Sequence, residues 1–154
     1  MQRRILISTL AATIVGAAGA VAFFGIRQTA RAEEIVIYKD PSCGCCTAWV
    51  EHLRASGFTA SVRERVDLRR TKAELGVPEH LQSCHTATIE DYVIEGHVPA
   101  ADIRRLLAER PKARGVAVPG MPVGSPGMEQ GAEREPYNVI LFQGDGADTI
   151  FVRH

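Results

Sequence analysis

The pattern of apolar positions from residue 34 onward predicts alternating strands and helices. Residues 34–38, "EIVIY", form a short β-prone run that predicts a strand, and residues 58–66, "FTASVRERV", predict a second one. Between them, apolar side chains recur at helical spacing and a glycine follows, which predicts a helix with a defined end. These positions are Cys46, Trp49, Val50, Leu53 and Gly57. Two strands joined by a helix should run parallel.

The same kind of pattern predicts a helix, a hairpin and another helix up to residue 110. Asp67 is a candidate cap for a helix over 68–76, "LRRTKAELG". Residues 86–89 and 92–96 are two short apolar runs around an acidic turn and predict a β-hairpin. Residues 100–110, "AADIRRLLAER", predict the last helix. The order is β-α-β-α-β-β-α, that of a thioredoxin-like α/β core, in which the third strand lies antiparallel beside the first.

Beyond this core, composition distinguishes three segments. Residues 116–136 are dense in glycine and proline and predict a long irregular loop. Residues 137–143 and 147–152 are strand-like runs around a Gly-Asp-Gly turn and predict a C-terminal β-hairpin. Within the core, the charge run "RERVDLRRTK" (63–72) predicts a solvated face.

The first 32 residues have the pattern of an export signal. Arg3 and Arg4 precede an uncharged apolar stretch over 5–26, and Ala30-Arg31-Ala32 fits a cleavage site. We therefore predict a signal peptide over 1–32, one domain over 33–154 and a periplasmic location. The alternative is an uncleaved leader, which would anchor the protein in the membrane; after cleavage we expect no stable membrane insertion.

Charge argues against one class of partner. Four of the chain's 18 Lys and Arg residues lie in the leader and none of its 18 Asp and Glu residues do, which leaves 14 basic and 18 acidic residues, a net of −4, in 33–154. A nucleic-acid-binding domain needs a basic face. We expect no nucleic-acid partner.

Four cysteines carry the candidate chemistry. Three lie within four positions in "YKDPSCGCCTAW", as Cys43, Cys45 and Cys46, and the fourth is Cys84. If the third strand is antiparallel to the first, the start of the third lies beside the end of the first. The fold should then bring Cys84 to the three clustered thiols, and His97 to the same edge of the sheet.

Three interpretations of these thiols remain open. Cys43 and Cys46 could form a structural disulfide, which a domain of this size does not need. They could instead be the redox pair of a thiol-disulfide oxidoreductase, since a helix N-terminus lowers a thiol pKa. The third interpretation, which the pattern favours, is a soft-metal site, because several thiolates together favour Cu(I), or else Zn or an iron–sulfur cluster. Bridging sulfurs would then allow more than one copper ion.

The chain also resembles a known family. Its segments "YKDPSCGCCTAWVEHLRASGF", "LQSCHTATIEDYVIEGHVPA" and "GVAVPGMPVGSPGME" are similar to the CopG-like copper-resistance proteins, long catalogued as a metal-binding domain of unknown function. The resemblance implies a thioredoxin-like fold in the bacterial periplasm and a copper cluster on the four cysteines. It also implies a role in copper redox cycling and work alongside copper-efflux or copper-chaperone proteins.

Four other residues are weaker candidate ligands. His97 follows the fourth predicted strand, and Met121 and Met128 lie in the glycine- and proline-rich loop with thioether sulfurs that suit Cu(I). The loop itself is a candidate cover for the site. His85 follows Cys84 directly, and because neighbours on a strand alternate faces, we expect it to point away from the cluster.

Overall fold

The structure is a computed structural model that describes residues 34–144 and 146–154. The predicted signal peptide lies outside the described residues, so its cleavage stays a prediction. Among the described residues, no helix has the length and apolar character needed to cross a membrane.

The described chain forms seven strands and three helices, which confirms a mixed α/β fold. The strands are β1 (Glu34–Lys39), β2 (Thr59–Glu64), β3 (His85–Ile89), β4 (Tyr92–Glu95), β5 (Gly115–Ala117), β6 (Asn138–Phe142) and β7 (Thr149–Arg153). The helices are α1 (Gly44–Ala55), α2 (Leu68–Leu75) and α3 (Ala100–Glu109), with a short 3₁₀ turn at Glu79–Leu81.

All seven strands join one sheet in the order β2-β1-β3-β4-β5-β6-β7. Strand β1 pairs parallel with β2 and antiparallel with β3, and β3 and β4 form a hairpin, as the sequence predicts. The predicted C-terminal hairpin is formed by β6 and β7. Strand β5 was not predicted from the sequence; it pairs with β4 on one side and β6 on the other and so makes the hairpin part of the same sheet.

Helices α1 and α3 each bury one apolar face, and α2 has capping residues at both ends. On α1, Cys46, Trp49, Val50 and Leu53 are the buried positions. The Asp67 carboxylate accepts a hydrogen bond from Arg70 N at 3.4 Å and caps α2, and Gly76 ends α2 in the left-handed conformation.

Two apolar clusters pack on the sheet. The larger one joins the buried faces of α1 and α3 to the sheet, with Trp49 at its centre and its indole Nε1 donating to the carbonyl oxygen of Val98 at 2.9 Å. The smaller one includes Val77, Leu81 and Phe142. Both faces of β3 and β4 are therefore covered by packed side chains. The residues that flank these strands are attached to a rigid part of the sheet.

Candidate metal centre

The fold brings the four cysteines to one place. Cys43 is the cap residue of α1, and Cys45 and Cys46 lie in its first turn. Cys84 immediately precedes β3, whose first residue, His85, is the register partner of Lys39 at the end of β1. The four sulfur atoms all lie within 4.8 Å of one another. The predicted convergence of Cys84 on the clustered thiols is thus observed.

The sulfurs are present in two states. Cys43 and Cys46 form a disulfide with a Cα–Cα distance of 5.4 Å, while Cys45 and Cys84 are free thiols. Cys45 Sγ lies 3.5 Å from Cys43 Sγ and 3.9 Å from Cys84 Sγ. Cys46 is fully buried, and the other three are half-buried. Full thiolate ligation by all four residues therefore requires reduction of one disulfide.

His97 contributes a nitrogen directed at the free thiol. Its Nε2 lies 3.1 Å from Cys84 Sγ. Its Nδ1 lies 2.8 Å from the carbonyl oxygen of Pro126, which can only accept, so Nδ1 carries the proton. The Nε2 lone pair consequently faces Cys84, an arrangement typical of metal-ligating histidines, whose second nitrogen is held by a hydrogen bond. The predicted proximity of His97 to the cluster is observed.

The expectation that His85 points away from the cluster is wrong. Its side chain is fully buried, and Nδ1 lies 3.3 Å from Cys84 Sγ. Strand alternation does not relate the two residues, because Cys84 precedes the first residue of β3. The His85 ring packs between Trp49 and His97, at centroid distances of 4.3 and 4.8 Å. Its Nε2 is buried without a hydrogen-bond partner among the described residues.

The glycine- and proline-rich loop lies against this cluster. Pro126 accepts the hydrogen bond from His97, and Ser83 Oγ donates to the carbonyl oxygen of Gly120. Gly127 packs on the first turns of α1, where an added Cβ would lie 2.9 Å from the carbonyl oxygen of Cys45. The loop therefore contacts both elements that carry the thiols.

The two methionines of the loop differ in exposure. Met121 is 52 % exposed, and Met128 is half-buried, with its backbone N–H bonded to Ser125 O at 2.8 Å. Ligation of a metal by either methionine stays a prediction. The half-buried Met128 is better placed for it than the solvent-exposed Met121.

Burial favours the neutral forms of Cys84, His85 and His97. Desolvation raises the pKa of the Cys84 thiol to about 12, and the charge of Cys45 and the hydrogen bond between the two sulfurs add to this rise. Desolvation lowers the pKa of His97, and it lowers that of His85 well below its usual value, with the charges of His97 and Lys72 adding to the effect. Neutral imidazoles are the form that binds metal, whereas a thiol must release its proton to the solvent when it binds a metal ion.

The buried histidines predict a pH-dependent stability. The folded protein keeps His85 neutral, whereas the unfolded chain protonates it below about pH 6.5. The unfolded state then binds more protons, so the free energy of unfolding should fall as the pH drops from 7 to 5, by up to about 1.4 kcal/mol per unit for this residue. Urea denaturation of the reduced, metal-free protein at each pH measures this free energy of unfolding. His85→Gln should flatten the slope; an equal slope in both proteins would contradict the assignment.

Two buried charges beside the site were not predicted from the sequence. Lys72 and Glu95 are almost fully buried, although Lys72 ends the charge run predicted to be solvated. The signals were present: Lys72 shares the apolar face of α2 with Leu68 and Leu75, and Glu95 ends an otherwise apolar strand. The prediction of a solvated face is therefore wrong at Lys72.

One family model matches part of the chain. A family model described as "Protein of unknown function, DUF411" matches residues 81–128, a range that includes Cys84, His85 and His97. The comparison with curated proteins finds no match.

Two solved structures are similar to the chain over most of its length. The structure named "Copper resistance protein copG- Form 1" is 43% identical, with a TM-score of 0.76, and the match covers 80% of this chain and 98% of that one. The structure named "Copper resistance protein copG- Form 2" matches with the same identity and TM-score over 79% of this chain and 98% of that one. At this identity and coverage, the chain belongs to the family of the copper resistance protein CopG.

Proposed function

We propose that the protein binds copper as Cu(I) on Cys43, Cys45, Cys46 and Cys84 and contributes to copper resistance. The observation that carries the proposal is the convergence of the four sulfurs within 4.8 Å of one another. Thiolates are soft ligands that favour Cu(I). The similar solved structures are of a copper resistance protein, which supports copper over other soft metals.

More than one copper ion is expected at this site. Four thiolates exceed what a single Cu(I) needs, and thiolate sulfurs can bridge neighbouring ions. Cys84, His85 and His97 also form a group of donors within 4.8 Å of one another, which shares Cys84 with the four-cysteine group. The two groups together offer six donors, with His97 Nε2 oriented for ligation by its bond to Pro126.

The disulfide supports a redox role for the same site. Two Cu(II) ions would each take one electron from the Cys43 and Cys46 thiolates, giving two Cu(I) ions and the Cys43–Cys46 disulfide. Cys45, Cys84 and the two histidines would remain as donors in that state. Reduction of the disulfide by an external dithiol would restore four thiolates and complete a copper redox cycle.

A thiol-disulfide oxidoreductase is the second candidate function. The Cys43–Cys46 disulfide lies at the N-terminus of α1, where the helix dipole stabilises a thiolate, and this is the observation that favours it. The element order and the pairing of β1 to β4 support the proposal of a thioredoxin-like core, which suits either function.

Cys45→Ser separates the two candidates. A copper cluster should lose metal, because Cys45 Sγ lies between the sulfurs of Cys43 and Cys84. A dithiol enzyme should keep its activity, because Cys43 and Cys46 remain. Copper content of the reduced protein and the rate of insulin disulfide reduction are measured in parallel. Full copper content together with retained reductase activity would contradict the copper proposal and favour the dithiol enzyme.

The site of action is proposed to be the periplasm, with copper-efflux or copper-chaperone proteins as partners. The first reason is the pattern of residues 1–32, which is that of an export signal. The second is that thiols in the cytosol would compete with the protein for copper. Deletion of residues 2–32 should leave a foldable protein that no longer protects cells from added copper. Growth of the cells in medium with added copper measures this protection. Undiminished protection by the truncated chain would contradict the proposed periplasmic location.

A further inference from the structure

A buried ion pair lies beside the metal centre, on the face of the sheet that α2 covers. Lys72 Nζ lies 2.5 Å from Glu95 Oε1, and the two side chains are 4% and 0% exposed. The Thr86 hydroxyl accepts from Lys72 Nζ at 2.8 Å and donates to Glu95 Oε2 at 2.5 Å. Removing two charges from water is costly, and an apolar pair of similar volume is often at least as stable. Fold stability alone is therefore a weak explanation for this pair.

Glu95 also holds the segment that carries Cys84. The backbone N–H of Ser83 donates to Glu95 Oε1 at 2.6 Å, and the Thr86 hydroxyl donates to Oε2. One carboxylate thus binds the residues immediately before and after the dipeptide Cys84-His85. Desolvation raises the pKa of the Glu95 carboxyl, and the charge of Lys72 and its hydrogen bond oppose that rise.

The held segment sets the contacts of the Cys84 thiol. Its sulfur lies 3.9 Å from Cys45 Sγ on α1 and 3.1 Å from His97 Nε2 beyond β4. Both partners lie on other elements, so the two contacts depend on where Ser83 and Cys84, the residues just before β3, lie relative to the sheet. A shift of this segment would separate Cys84 from its partners without changing α1.

We propose that Glu95, balanced by Lys72, is a positioning residue of the metal centre, which fixes residues 83–86 so that the Cys84 thiol faces Cys45 and His97. Glu95 acts on copper capture through the position of this segment. This inference rests on the proposed copper site.

Two double variants remove the charges equally and differ in the hydrogen bonds. Lys72→Met/Glu95→Gln keeps an acceptor for Ser83 N and a polar partner for Thr86. Lys72→Met/Glu95→Leu removes both. Comparing the two variants separates the effect of the hydrogen bonds from the effect of losing the ion pair. Thermal unfolding of each variant reports its stability.

Two readouts on the reduced protein test positioning. The first is the rate of iodoacetamide alkylation of each cysteine, resolved by peptide mass spectrometry without metal. The second is the copper dissociation constant from competition with a Cu(I) chelator. In the leucine variant we expect faster alkylation of Cys84 and unchanged alkylation of Cys45. We also expect the copper dissociation constant to rise on the order of 10- to 100-fold, which is the usual effect of losing a residue that orients a metal ligand. The glutamine variant should stay near wild type in both.

The inference is overturned if the leucine variant matches the glutamine variant in both readouts. If the wild-type protein binds no copper, the proposed function fails, while the alkylation rates still decide whether Glu95 positions Cys84. If the leucine variant does not fold, Thr86→Val replaces it, since it removes the hydroxyl bond to Glu95 with little change of shape. Faster Cys84 alkylation in Thr86→Val then supports the inference, and an unchanged rate overturns it.

Discussion

Cys84→Ser is expected to weaken copper binding as much as the loss of one of the three clustered cysteines. Cys84 lies 38 residues beyond Cys46, yet its sulfur lies 3.9 Å from Cys45 Sγ and 3.1 Å from His97 Nε2. It is also the one residue shared by both groups of candidate ligands. A serine hydroxyl is a hard oxygen donor and does not replace a thiolate toward Cu(I). Titration of the reduced Cys84→Ser and Cys46→Ser variants with copper, compared with each other, measures the effect.

The effect on folding should be small. Cys84 is half-buried, serine is close to it in size, and the apolar clusters on the sheet do not include it. His80→Gln is a suitable control, because it changes the segment before Cys84 at a residue that contacts Asp148. The control should bind copper like wild type. A full copper load in Cys84→Ser would contradict a ligand role for this thiol.

Gly127→Ala is expected to displace the loop from the metal centre. Gly127 has a φ of +87°, and an added Cβ would lie 2.7 Å from Trp49 N and 2.9 Å from the carbonyl oxygen of Cys45. These are backbone atoms of α1, so the loop must move. Strain in the left-handed conformation costs about 1–2 kcal/mol, and overpacking adds about 1–3 kcal/mol. Chemical denaturation and the rate of copper loss to a chelator should both report the change.

Gly131→Ala is the matched control for this substitution. Gly131 lies in the same loop with a φ of +60°, but an added Cβ there meets nothing within 4 Å. It should lower the free energy of unfolding by the conformational term alone and leave copper loss unchanged. Equal rates of copper loss in the two variants would mean that contact between Gly127 and α1 does not retain the metal.

Much of the fold followed from local patterns in the sequence. The helical spacing before Gly57 and the paired apolar runs around Glu90 and Asp91 predicted the order and pairing of β1 to β4, and with it the approach of Cys84 to the clustered thiols. Strand β5 could not be predicted, because Gly115–Ala117 is too short to show a period and adjoins the glycine- and proline-rich segment. The attachment of the terminal hairpin to the sheet was missed with it.

The candidate site was predictable in its thiols and less so in its nitrogens and charges. His85 was assigned to the wrong side, because strand alternation applies only within β3 and Cys84 lies before it. The sequence also left open whether Cys43 and Cys46 pair, since a disulfide and a metal site need the same spacing. Lys72 and Glu95 lie 23 residues apart, and their contact depends on how α2 packs on the sheet, which no local pattern specifies.

The most direct test of the proposed copper site is the copper content of the protein reduced and saturated with Cu(I) without oxygen. Elemental analysis relative to protein concentration gives the number of ions per chain. Four converging thiolates with bridging sulfurs predict more than one copper ion per chain. One ion or fewer, or zinc recovered in place of copper, would contradict a copper cluster on Cys43, Cys45, Cys46 and Cys84.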